Sequence, residues 1–303
     1  MTLATTHSVG VTEKPPLRLR LQQKGFDGVT LLVLPAVIFV LALFVYPFLY
    51  GLVLSFQPKE GGWLANYSKF FSDRFLYGTI MTTFRLAVPV TIFNIALSVP
   101  VAMRMRLMRR QKVLTTILVL PITLGTVLVA QGLLSYLGPQ GWLNRTLLAA
   151  HLISHPIALL HNYWGVFLSL VITGFPFTFL LMLSYVTGID GSLENAAATL
   201  GASAAQRFRA IFVPLLIPGL AITFCLSFVQ AVSVFPSAVL LGAPAGPTRV
   251  ISIAAYEAAF EQYDYSLASA IAMIMALVQL AIVAIVLAAR GLFYRGPAGS
   301  GKG

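Results

Sequence analysis

The sequence predicts an all-α polytopic membrane protein with six transmembrane helices, and three observations carry that prediction. Hydrophobic residues make up 58% of the 303 residues and charged residues only 10%, with a mean hydropathy of +0.88; soluble domains carry about 25% charge. The apolar residues gather in charge-poor windows long enough to cross a bilayer as helix, which takes about 20 residues. Between those windows the basic residues fall unevenly on alternate sides, as positively charged cytoplasmic loops do.

The first window is the charge-free stretch between Asp27 and Lys59, read as one long, proline-bent helix. Residues 1–28 ahead of it hold no apolar core of the signal-peptide kind and are expected to form a basic cytoplasmic arm. An aromatic and polar segment, "GGWLANYSKFFSDRF", follows as a surface element. The second span is expected from about Tyr77 to Met103 and carries one charge, Arg85. The five-charge loop "RMRLMRRQK" separates it from a third span near Val113 to Leu137. After a more polar loop with a short interfacial helix come a fourth span near Tyr163 to Val186, a fifth near Leu215 to Leu241 and a sixth near Ser266 to Ala289. The spans form one domain over 29–290, and 291–303 are expected to be a flexible cytoplasmic tail.

With the N-terminus cytoplasmic, the inner segments hold Lys14, Arg18, Arg20, Lys24, Arg104, Arg106, Arg109, Arg110, Lys112, Arg207, Arg209, Arg290, Arg295 and Lys302. The outer segments hold only Lys59, Lys69, Arg74, Arg145 and Arg249. This asymmetry predicts both termini inside, in a bacterial inner membrane. Basic anchors at an anionic leaflet account for the net charge of +11, with membrane lipid rather than nucleic acid as the partner.

One short stretch interrupts the apolar sequence, "ENAAATLGASAAQRFRAIFVP", from Glu194 to Pro214. Asn195-Ala196-Ala197 is followed by three residues, Gly201, nine residues, Ile211, one residue and Val213-Pro214. This spacing resembles the cytoplasmic loop of permease subunits in binding-protein-dependent ABC importers. "LANYSKFFSD", "LGPQGWLNRTL" and the stretch from Ser227 to Met275 resemble further segments of the same family. The resemblance implies the type I importer permease fold, with a coupling helix between spans four and five that seats on an ATPase subunit. It assigns the ATPase-coupling residues to Glu194, Asn195, Ala196, Ala197, Gly201, Ala202, Ile211 and Pro214. One departure matters: the family's glutamate falls on Asn195, and the acid stands one residue earlier, at Glu194. One residue rotates a helical side chain by about 100°.

The small side chains of Ala196, Ala197, Ala198, Gly201 and Ala202 suit a helix that another protein's groove encloses, and Gly201 suits a turn between two short helices. The resemblance implies a second permease subunit or a copy of this one, two ATP-binding subunits, and a periplasmic or lipid-anchored substrate-binding protein. ATP and magnesium would be bound by the ATPase, with no cofactor in this chain. Within the family the chain resembles the branch that handles polyamines and other small polar solutes; a sugar permease is the alternative, and an ion-coupled secondary transporter is a more distant one.

Other signals point less far. The tail "GPAGSGKG" lacks the Ser or Thr that completes a phosphate-binding loop after its lysine, and no strand precedes it. His151, His155 and His161 supply too few ligands for a metal. No catalytic constellation sits at membrane depth, so the chain is not expected to be an enzyme. In "YEAAFEQYDY", a continuous helix would align Glu257, Glu261 and Asp264 on one face beside Tyr256. That rim, with Arg85 in the second span, is the expected substrate path or binding-protein docking surface.

Overall fold

The computed structural model describes residues 28–293, with side chains from 32 to 291; the basic arm and most of the tail, including "GPAGSGKG", lie outside the described residues. The contacts divide the chain into two compact units, Met1–Val53 and Leu54–Gly303. A lone helix can stand as a unit because its backbone bonds close within itself. Among the described residues six helical runs are long and apolar enough to cross a membrane, and no strand occurs among them.

The first unit holds α1 (Gly28–Val40), a π turn (Leu41–Val45) and the start of α2 (Tyr46–Ser55). Tyr46 N–H donates to Leu41 O, one residue further back than in an α-helix. Proline explains it: Pro47 has no N–H for Leu43 and its ring would strike that carbonyl, so the turn widens.

The second unit continues with α3 (Ala65–Ser72), α4 (Arg74–Met105), α5 (Gln111–Leu137), α6 (Trp142–Ala149) and α7 (Tyr163–Thr187). Then come α8 (Gly191–Thr199), α9 (Ala204–Arg207), a second π turn (Phe208–Phe212) and α10 (Val213–Val232). After these follow α11 (Phe235–Leu241), α12 (Ile251–Tyr256), a third π turn (Glu257–Glu261) and α13 (Tyr265–Phe293). The last helix thus runs past residue 290.

Two boundaries differ from the sequence reading. The fifth span does not reach Leu241: α10 stops at Val232, and α11 is a separate helix. Pro236 cannot donate to the carbonyl of Val232 and would collide with it, so the helix ends and restarts with proline in its first turn. The third span is broken at Gly125, whose φ of 72° and ψ of 162° leave the helical region. Glycine alone reaches that conformation without cost.

Three clusters hold the second unit together. Phe70, Leu76, Ile251, Leu267 and Ile271 join α3, α4, α12 and α13. Leu86, Val90, Val166, Leu170, Phe228 and Ile253 fill the middle. Ala102, Met105, Phe179, Met182, Phe212 and Leu216 close the end that carries α8. Lipid offers no hydrophobic drive between helices, so close approach at small residues matters. A Cβ on Gly219 would lie 2.4 Å from the Tyr185 ring, so α10 rides on that ring at glycine.

Candidate functional site

The segment Gly191–Phe212 leaves the membrane helices as a small helical hairpin. Asp190 starts α8, its carboxylate accepting from Ser192 N–H at 2.9 Å. That hydrogen bond, reinforced by the Ser192 hydroxyl, holds the Asp190 carboxyl below the usual carboxylate range. Gly201 ends the first arm with φ +81°, its N–H and that of Ala202 returning to the carbonyls of Ala198 and Ala197 at 3.0 Å each. Ser203 and Gln206 cap the second arm reciprocally. Ser203 O then accepts from Arg207 N–H at 2.9 Å.

This hairpin exposes what most helices hide. Leu200 is 88% exposed, and Asn195, Ala196, Ala198 and Gly201 are exposed around it. Ala197 and Ala202 are half-buried. Ile211 and Pro214 line an open groove with Leu193, Ala210 and Leu215. The π turn follows the same rule as the first: Val213 N–H donates to Phe208 O, immediately before Pro214, which cannot bond Ala210.

Glu194 is half-buried. It is ion-paired with Arg106, the residue that closes α4, and approaches Arg207 Nε at 3.7 Å. The Arg106 guanidinium also lies 4.5 Å from the centre of the Phe212 ring. One arginine from the five-charge loop therefore holds both ends of the hairpin. Arg106 entered the sequence reading only as a counter of charge; nothing in the linear pattern separates it from Arg104 or Arg109.

At the other end of the second unit, the acidic stripe expected on "YEAAFEQYDY" is not continuous. The π turn ends at Glu261, Tyr263 takes φ 51°, and Asp264 begins the next helix by accepting from Leu267 N–H at 3.1 Å. The three acids are thus divided by use. Glu257 is ion-paired with Arg249, Asp264 is a cap, and Glu261 is exposed. Tyr256 packs its ring at 4.9 Å from those of Phe235 and Phe260. Arg85 is exposed on α4, apart from this cluster, and its carbonyl accepts the Tyr163 hydroxyl at 2.9 Å. His161 bonds through its N–H to Leu241 O at 2.8 Å, fixing the end of α11.

Between α4, α5, α7, α10 and α11 lies a small crevice with several polar side chains that sequence reasoning missed. Its floor holds buried Asn94, Thr173, Thr178, Ser227 and Ser237, with Thr126, Gln230 and Ser233 exposed above. Ser169 donates to Ser237 at 2.9 Å, and Thr178 and Ser227 bond at 2.8 Å. The break at Gly125 brings α5's next residue, Thr126, to the rim. Scattered serines and threonines in apolar spans look innocuous because they can bond their own helix; only packing gathers them.

Residues 60–296 match the family described as binding-protein-dependent transport system inner membrane component. A probable sulfate transport system permease protein of Prototheca wickerhamii is 31% identical over 58% of this chain and 67% of its own. The spermidine/putrescine permease protein PotB of Haemophilus influenzae is 29% identical over 65% and 71%. The trehalose permease protein SugA of Mycobacterium tuberculosis is 27% identical over 81% and 82%. Among solved structures, a bacterial alginate ABC transporter in complex with an alginate-bound periplasmic protein superposes with a TM-score of 0.74. It covers 89% of this chain and 95% of that one at 22% identity, a likeness of fold.

Proposed function

Since this chain belongs to the binding-protein-dependent transport system inner membrane components, the permease subunits of ABC importers, we propose that its Gly191–Phe212 hairpin is the surface through which separate ATPases drive it. The permease works with a substrate-binding protein and an ATPase, and is not itself an enzyme. The exposed side chain of Leu200, set among small residues at the end of the membrane helices, carries the proposal. An apolar tip left in water costs free energy that a partner's groove recovers. Asn195, Ala196, Ala198 and Gly201 would lie in that groove, while Ile211 and Pro214 lead the movement back into α10.

In this reading the hairpin end and both chain termini are cytoplasmic, in a bacterial inner membrane. Two ATPase chains bind ATP and magnesium, a second permease or a copy of this one completes the pathway, and a periplasmic or lipid-anchored protein delivers the solute. ATPase closure rocks the spans, exposing the pathway to each side in turn. The solute is small and polar. The polyamine preference is supported by the sequence resemblance and the PotB relative, but the sulfate and trehalose relatives are comparably similar.

The test is cross-linking from Leu200→Cys in the assembled complex, beside labelling of Ser203→Cys and Gly246→Cys with an impermeant thiol reagent. A cross-link to the ATPase, external labelling at 246 and none at 203 is the expected pattern. External labelling at 203 would overturn the docking surface and the orientation together.

A further inference from the structure

An open groove runs down the flank of α4 at the end that carries the hairpin. Ala96, Val99, Pro100, Met103, Arg104 and Leu107 line it, and their three- and four-residue spacing is that of a single helix face. Phe208, the first residue of the second π turn, lines the same groove. Ala96, Pro100 and Arg104 are exposed, as are Leu107 at 67% and Phe208 at 39%. The face is apolar from Ala96 to Met103 and turns cationic at Arg104. From Ala96 to Arg104 it covers about 12 Å of helix at 1.5 Å per residue.

Charge separates the candidate occupants. Glu194 is taken by Arg106 and Arg207, and the Asp190 carboxylate caps α8. Arg104, Arg109, Arg110, Lys112 and Arg209 therefore have no carboxylate partner among the described residues. An apolar helix laid in the groove would fill the stripe and leave Arg104 unmatched. A free phosphate would match Arg104 and find nothing to bond on the apolar face below it. A soluble ATPase meets loops, and does not follow a helix face that descends about 12 Å into a membrane span. A phospholipid of negative charge fits both parts. Its acyl chain lies against Ala96 to Met103, and its phosphate meets Arg104, whose planar guanidinium holds phosphate oxygens in pairs. Basic clusters beside membrane helices draw such lipids.

We propose that this groove is a docking site for an anionic phospholipid from the leaflet on the hairpin side, and that the lipid bridges α4 and the π turn that leads into α10. Phe208 is the hairpin's share of the bridge, and Arg104 selects the headgroup. The inference rests on the permease reading for the side of the membrane the hairpin faces; the groove itself depends only on α4 and Phe208. A lipid seated there supports the hairpin from outside, beside the internal tie from Arg106 to Glu194. Membrane composition then sets how firmly the ATPase-facing surface is held.

The experiment reconstitutes the full complex in phosphatidylcholine vesicles with a trace of phosphatidylglycerol that carries a diazirine in its acyl chain. Adducts mapped by peptide mass spectrometry are expected on 96–107 and at 208, and excess phosphatidylglycerol should compete them away. Arg104→Gln should cut them at least five-fold, as should Met103→Trp, which fills the groove. Arg110→Gln removes an equal charge outside the groove and should leave them within about two-fold. Amide exchange over 204–212 should be at least three-fold slower with phosphatidylglycerol than without it, and indifferent to it in Arg104→Gln. Co-purification of the ATPases shows that each variant assembles. Equal labelling by a photoreactive phosphatidylcholine, adducts untouched by both groove variants, or adducts that form only once the ATPases are stripped away would each overturn the lipid site. Selective adducts with unchanged exchange would overturn the bridge to the hairpin. External labelling of Ser203→Cys beside selective adducts is a different result: it supports the lipid site and sinks the docking surface and orientation instead.

Discussion

Arg106 and Glu194, separated by 88 residues in sequence, are ion-paired, fastening the end of the second span to the first helix of the hairpin. The carboxylate stands one position before the family's glutamate, and the structure gives that displaced acid a partner within its own chain. Arg106→Gln or Glu194→Gln leaves one partly buried charge unpaired, a loss of about 1–2 kcal/mol after discounting for solvent at Glu194. Transport should fall several-fold in either variant. The double variant should lose no more than the worse single one, because the interaction is already gone. Additive losses in uptake would mean the two residues act separately.

Gly201 has open space around its missing Cβ, so its φ of +81° is the sole local demand. Gly201→Ala should therefore cost about 1–2 kcal/mol of hairpin stability through backbone strain, and Gly201→Asn less. Gly201→Asp should leave membrane insertion intact but weaken ATPase association further, as the charge enters the docking groove. Co-purification of the ATPase under increasing salt measures this; equal retention by Asp, Asn and Ala variants would remove Gly201 from the interface.

Asp190 gives the hairpin a defined acid limit. Its carboxyl is held low by bonds to Ser192, so the ionised form is the one that stabilises α8. That contribution is complete above the unfolded carboxylate value of about 3.9 and disappears as pH falls through the lower folded value. Amide exchange over 191–199, corrected for intrinsic rates, should be flat from about pH 5 to 8 and rise below about pH 4. Asp190→Asn should keep the cap and flatten that rise.

The acids at the opposite end should respond unequally to removal of charge. Glu257→Gln breaks the pair with Arg249, for about 1 kcal/mol, whereas Asp264→Asn keeps the cap on α13 and only Asp264→Ala removes it, for about 1 kcal/mol. Glu261→Gln, on an exposed side chain, should change stability by less than about 0.5 kcal/mol. Thermal unfolding in detergent ranks the three. If Glu261→Gln alone reduces binding-protein docking, that residue belongs to an interface; if docking is unchanged, it is a solvated surface group.

The spans and the hairpin were legible in the sequence because each is a local pattern. Charge-poor windows located the helices to within a few residues except at the C-terminal end of the fifth span, and the spacing from Asn195 through Gly201 to Pro214 located the turn between α8 and α9. What escaped was tertiary or stereochemical. Pro236 looked like one more proline in a fifth span, yet it lies four residues beyond Val232 and ends the helix there. The acidic stripe assumed an unbroken 3.6-residue period, which the π turn and Tyr263 destroy. Asn94, Thr178 and Ser227 carry no signal singly; the crevice exists only where α4, α7 and α10 meet.

The π turn at 208–212 has a consequence for how this protein can change over generations. It inserts one extra residue of winding between Arg207, beside Glu194, and the membrane helix that begins at Val213. Each residue of an α-helix turns the chain by about 100°, so the turn works as a phase adjuster between hairpin and span. Deleting a single residue there should be absorbed by reversion to ordinary winding only if Pro214 is lost as well. With proline retained, Phe212 would swing from beneath Arg106 toward lipid. Length and proline content at this joint are therefore bound to one another: a lineage that alters either must alter both to keep its hairpin in register.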